Sequence, residues 1–228
     1  MKNLPLSPTP RRSFLQNLAA GSAALIAGSW ATAQSAQAKS TPHTSPVATV
    51  ADDDWLDRIH GEHRQVFDVV EANSGLGAAY TMNYLTSFHD AHDISDDDIC
   101  AVAVFRHNAF ALIMNDQMWD KYKLGEFFDI TDPETDAPAT RNIFHENIPL
   151  SPGVTYESMI SDKGVVLVAC SVAWDVYSML TAPNAGVTHE EAKAEWAENI
   201  LNGVILVPSG VYAVNRAQEH GCSYCYAG

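Results

Sequence analysis

The sequence predicts an α/β fold with a parallel sheet covered by helices on both faces, and two observations carry this. Short β-rich runs alternate with segments of helical periodicity along most of the chain. That is the pattern of strand–crossover–strand units, whose right-handed connections lay helices over the sheet. Two of the runs, 99–105 and 164–170, are continuously apolar, as expected of strands buried on both faces.

In chain order, 65–70 is a short β-rich run and 76–88 carries apolar residues at helical spacing, with Asn73, Ser74 and Gly75 as turn and cap signals between them. The acidic stretch 90–98 is a solvated connection to the second strand, 99–105, and 109–123 reads as the second helix. Residues 129–152 break the rhythm with Pro133, Pro138, Pro149 and Pro152. A loop of that length inside a compact domain serves as a lid, a subunit contact or an insertion. A short helix at 155–162, a third strand at 164–170 and helices at 171–180 and 190–201 follow. A fourth strand at 203–208, a helix at 211–220 and a last strand at 223–226 complete the chain. Neither Gly-x-Gly-x-x-Gly nor Gly-x4-Gly-Lys-Ser/Thr follows the first strand, so the usual phosphate cradles of nucleotide folds are not expected.

The first 38 residues read as an address. Thr9-Pro10-Arg11-Arg12-Ser13-Phe14-Leu15-Gln16 precedes a weakly apolar Ala/Gly/Leu stretch ending near Trp30, and Ala36-Gln37-Ala38 supplies a small-x-small cleavage pattern. This is the form of a twin-arginine export signal, which predicts a periplasmic protein beginning near Lys39. The apolar stretch is too short to span a bilayer. Residues 39–54 read as a disordered leader, and 55–228 as one domain.

The formal charge is −15, and removal of Lys2, Arg11 and Arg12 with the signal lowers it to −18. So acidic a surface repels phosphate backbones and anionic lipid, which excludes nucleic-acid and membrane-surface roles after signal cleavage. Nothing in the residue patterns calls for a cofactor. His60-x-x-His63 and His89-x-x-His92 have metal-ligand residue types, but no third ligand is implied, so no metal is expected. The runs 52–54 and 96–98 lack the spacing of a calcium loop.

The four cysteines are Cys100, Cys170, Cys222 and Cys225. In a strand, residues three apart point to opposite faces, so Cys222 and Cys225 are not expected to bridge each other.

The element order, together with Val165-Val166-Leu167-Val168-Ala169-Cys170 and the closing stretch from Leu206-Val207-Pro208-Ser209-Gly210 to Glu219-His220-Gly221, resembles the DsrE/DsrF-like family of sulfur-relay proteins. Arg106-His107, Asn115-Asp116, Trp119-x-Lys121-Tyr122 and Arg141-Asn142 look more like its exported branch. The resemblance covers roughly 59–226. It implies a flavodoxin-like three-layer sandwich with a four- to five-stranded parallel sheet and homo-oligomers. It also implies a cysteine that carries sulfur as a persulfide, exchanged with a sulfur-donor or acceptor protein. Cys170 stands where that cysteine is expected.

Ligands of open parallel sheets bind outside the carboxyl ends of the strands. Those ends carry Asp68 and Asn73, then Arg106, His107 and Asn108, then Cys170 and Ser171, then Ser209. With strand order 2-1-3-4-5, Asp68 and Asn73 come beside Cys170, with Arg106 and His107 across the first strand. Cys100 and the Cys222/Cys225 pair then lie at opposite sheet edges.

Cys170, entering a helix near unpaired N–H donors, is the expected nucleophile, and a small buried core residue is the competing reading. His107 and Asp68 are the expected proton-transfer groups. Arg106, Asn73, Asn108, Ser171 and Ser209 are the expected substrate-binding residues. The alternative function is a non-catalytic module of the same fold that binds a small anion or metal.

Overall fold

The computed structural model describes residues 50–145 and 148–228. The predicted export signal and the leader up to residue 49 lie outside them. A five-stranded, all-parallel sheet forms the centre, with strands β1 (His63–Val69), β2 (Ile99–Phe105), β5 (Val166–Cys170), β6 (Ile205–Val207) and β7 (Ser223–Tyr226). Helices cover both faces, giving a flavodoxin-like three-layer sandwich. The two-residue strands β3 (Thr131–Asp132) and β4 (Ala137–Pro138) make a separate antiparallel hairpin.

Strand alternation builds both cores. Along β2, Ala101, Ala103 and Phe105 face one cluster, whereas Cys100, Val102 and Val104 face the other. The first cluster holds α1 (Leu76–His92), α2 (Asp116–Lys121), α3 (Leu124–Phe127), α4 (Tyr156–Ser161), α5 (Ser171–Ala185) and α6 (His189–Glu198). The second holds α7 (Gly210–Glu219) and the turn Asp53–Arg58, which contributes Trp55 and Leu56.

The strand order corrects the expected one. It is β6-β5-β2-β1-β7, which is 4-3-2-1-5 when the five are numbered along the chain, not 2-1-3-4-5. The first three crossovers all step the same way across the sheet. Right-handedness therefore puts their helices on one face, and only the reversed crossover to β7 sends its helix, α7, to the other.

A further difference has a local cause. The helix expected over 109–123 is broken into a 3-10 segment, His107–Ile113, followed by α2 and α3. Asn142, from the long loop, donates its side-chain amide to the carbonyls of Leu112 at 2.7 Å and Met114 at 3.0 Å, and Leu201 N–H binds Ile113 O. Carbonyls so engaged do not serve an i→i−4 ladder.

The described residues of the 129–152 loop fold onto the helical face, where Ala139 and Ile148 are buried. Phe144 and Pro149 sit over Gly75, at 2.9 and 3.2 Å from where a Cβ would be. Gly75 also has φ +76, so a side chain there would be both strained and crowded. Ahead of residue 55 the chain also touches the sheet and α7. Ala51 N–H pairs with Leu206 O at the β6 edge, and Asp53 binds Arg216 of α7 at 2.8 Å.

Candidate functional site

The carboxyl ends of the strands bring most of the expected residues to one rim, in two groups on opposite faces of the sheet. On the α7 side, Asp68 is 3% exposed at the end of β1. Arg106, the residue after β2, grips it with both arms, Nε to Oδ1 at 2.7 Å and Nη2 to Oδ2 at 2.9 Å. Tyr224 of β7 donates its hydroxyl to Oδ2 at 2.9 Å. Three adjacent strands thus share one buried carboxylate. Its hydrogen bonds hold the Arg106 charge more firmly than usual, and burial with the carboxylate nearby pushes the Tyr224 phenol up.

On the other side, Glu71 in the connection leaving β1 accepts from Asn108 Nδ2 at 2.7 Å and lies 3.3 Å from His107 Nδ1. Asn108 Oδ1 takes the Tyr177 hydroxyl of α5 at 2.7 Å. His107 holds φ +52, a left-handed backbone that turns the chain out of β2 into the 3-10 segment. Burial, with the charges of Glu71 and Cys170 nearby, raises the Tyr177 pKa and keeps it a hydrogen-bond donor.

Cys170 ends β5 and is the N-cap residue of α5, in extended conformation. Its Sγ accepts the Ala173 N–H at 3.4 Å, and the residue is 7% exposed. The fifteen-residue helix aligns its dipole on that sulfur. Because Phe105 pairs with Ala169, Arg106 stands next to Cys170 across one strand spacing.

This corrects the expected arrangement. Cys170 neighbours Arg106, whereas Asp68 lies one strand further on, and Asn73 is further still from Cys170, beside the end of β7. Asn73 lines an open depression of ≈ 400 Å³ with Glu71, Tyr80, Tyr226 and Gly228.

The two serines are committed within the fold. Ser171 donates its hydroxyl to Pro208 O at 2.7 Å, tying the start of α5 to the end of β6, and Ser209 caps α7 by accepting from Tyr212 N–H at 3.2 Å. Glu71, Tyr177 and Tyr224 are the partners that the sequence reading missed. Tyr224 had a signal, since in a fifth strand it alternates with Cys225 and must share a face with Cys222.

The other cysteines lie elsewhere. Cys222 is buried against α7, and Cys225 leans on the opposite cluster, as the spacing predicts. Cys100 and Cys222 are not at opposite edges. Their strands flank β1, and the paired residues Arg64 and Cys100 stand one position below the pair Gln65 and Ser223. Two strand spacings, ~10 Å, still exceed the reach of a disulfide. Burial pushes both thiols up, that of Cys222 to about 11, and it raises Cys225 as well.

Among the described residues, no group of three or more His, Cys, Asp or Glu gathers to hold a metal ion. His89 closes the end of α1, with Nδ1 2.8 Å from Ile94 O and Nε2 2.9 Å from Asp96 Oδ1. His63 packs on Phe88 and His92. No helix of the described residues is long and apolar enough to cross a membrane.

No protein-family model matches the sequence, and no curated protein matches it. Among solved structures, a protein of unknown function from Methanobacterium thermoautotrophicum, MTH1491, is similar at 17% identity, over 72% of this chain and 98% of its own, with a TM-score of 0.37. So loose a likeness bears on neither fold nor function, and what the chain does has to be read from its own residues.

Proposed function

We propose that this is an exported sulfur-handling protein whose Cys170 accepts sulfane sulfur as a persulfide and passes it to a partner protein, in keeping with the resemblance to the DsrE/DsrF-like family. The single observation that carries the reading is the placement of the Cys170 sulfur at a helix N-terminus. There it accepts a backbone N–H, and Arg106 follows the adjacent strand at the same level, its guanidinium turned to Asp68. A helix N-terminus is a setting in which reactive cysteines are found. Burial disfavours the thiolates of Cys100, Cys222 and Cys225.

In the loading step, the Cys170 thiolate attacks the sulfane sulfur of thiosulfate. A new S–S bond forms at Cys170, the S–S bond of thiosulfate breaks, and sulfite leaves with the bonding pair. No oxidant is consumed. Delivery reverses the step, with an acceptor thiolate taking the outer sulfur and Cys170 leaving as thiolate. Asp68 then acts as a positioning residue that fixes Arg106, and His107 is the nearby group able to move a proton. The twin-arginine signal would deliver the chain already folded to the periplasm.

One observation favours the second reading, a non-catalytic binding module. Arg106 spends two of its donor groups on Asp68, and the Ser171 and Ser209 hydroxyls are committed within the fold. Intact mass after incubation with thiosulfate or polysulfide separates the two. The carrier gains one sulfur in the wild type and none in Cys170→Ser. An unmodified wild type, or an adduct that survives in Cys170→Ser, removes Cys170 as carrier.

A further inference from the structure

The observed strand order moves the point at which the winding reverses. The chain steps from β1 through β2 and β5 to β6 in one direction, then returns to lay β7 on the other side of β1. The reversal therefore falls between β1 and β7, and in open parallel sheets the crevice outside the carboxyl ends of the strands at such a point is where ligands bind. The open depression of ≈ 400 Å³ lies there. Its walls are Glu71 and Asn73 from the connection leaving β1, Tyr80 from α1, and Tyr226 and Gly228 from the end of β7.

We propose that this depression is a binding site for an organic cation, a quaternary or protonated amine with an apolar body. Two large aromatic side chains are left open here, Tyr80 at 41% and Tyr226 at 60% exposure. Ring faces attract a cation placed against them. The one charged side chain in the lining is Glu71, 47% exposed. Its two oxygens offer about four lone-pair sites, of which Asn108 takes one and His107 stands near another.

An anion would meet that carboxylate with no basic side chain in the lining to offset it. For a metal ion the lining side chains supply one carboxylate and one amide, and no group of three or more His, Cys, Asp or Glu gathers among the described residues. A cation with methyl or methylene surface uses both wall types, the rings for its body and Glu71 for its charge. The formal charge of −15 adds a long-range pull on cations.

The site stands apart from the sulfur reading, since none of its lining residues is Cys170, and the test keeps the two separate. The probe is tetramethylammonium, titrated into the purified protein and followed by NMR chemical shifts, with tert-butanol as the neutral analogue of similar shape. Saturable binding is expected, with tert-butanol at least about tenfold weaker. Tyr80→Ala and Tyr226→Ala should each weaken tetramethylammonium roughly fivefold, and Tyr226→Phe should retain it. Glu71→Gln should weaken it and flatten its salt dependence. Cys170→Ser should bind as the wild type does. Equal affinity for the two probes, unchanged affinity in both alanine variants, or no saturable binding would overturn the proposal.

Discussion

A Cβ atom at Gly210 would stand 2.5 Å from Cβ of Arg106 and 2.6 Å from its Cδ. The first residue of α7 is thus the floor over which the arginine stem passes on its way to Asp68. Gly210→Ala should pit a gain in helix propensity of ~1 kcal/mol against an overlap that pushes Arg106 off its fork. The overlap should win, with a net loss of about 1–3 kcal/mol. Urea unfolding with an unchanged m-value checks it, and a gain in stability would mean that the fork tolerates displacement.

Asn142 holds the long loop down through the carbonyls of Leu112 and Met114, and its backbone N–H binds Asp116 Oδ1 at 2.9 Å. Asn142→Leu leaves two carbonyls without their donor in a buried setting, at a cost of about 2 kcal/mol. Limited proteolysis should then cut within 129–152 faster than in the wild type, with the remaining fragments intact. Equal cutting rates would show that Phe144 and Pro149 hold the loop without it.

The Cys222 thiol, raised by burial from 9.0 to about 11, makes stability depend on alkaline pH. Between those values the unfolded chain releases a proton that the folded chain retains. The contribution is therefore fully present below pH 9 and is lost as pH rises through about 11. Cys222→Ala removes this titration. Denaturation midpoints measured at intervals from pH 8 to 11 should fall more steeply for the wild type than for the variant, and parallel curves would show that the thiol does not titrate in that window.

If the proposed twin-arginine signal serves the chain, replacing both Arg11 and Arg12 with Lys should leave full-length precursor in the cytoplasm, because such a route reads the arginine pair itself. Fractionation with an antibody against the domain reads this directly. Processed protein in the periplasmic fraction of the double variant would show that another route serves the chain.

The elements were legible where local pattern alone determines them. Strand 99–105 follows from seven consecutive apolar residues, and 223–226 from alternation after a glycine turn. Strand order was not legible, because apolar alternation tells a strand that it has two faces and never which neighbour it takes. The broken helix after β2 was hidden for a similar reason. Asn142, which takes its carbonyls, is about thirty residues away in a segment without periodicity. At the rim, the residue types expected at the strand ends are there, Asp68, Arg106 and Cys170 among them. The pairing of Arg106 with Asp68, which decides how much of the guanidinium is left for a ligand, needed β1 and β2 side by side. Glu71 escaped because it lies in the short connection between the strand and Asn73, where sequence offers only turn signals.

The lopsided sandwich has a bearing on how the chain can be processed. Behind the sheet, the valines Val66, Val102, Val104, Val166, Val168 and Val207 depend for cover on α7 and on Trp55 and Leu56 of the first turn. Trimming into that turn would bare a sticky wall of β-branched side chains. Among the described residues Ala51 is the first bonded to the sheet, so a cut ahead of it, as the expected one after Ala38 would be, spares that cover.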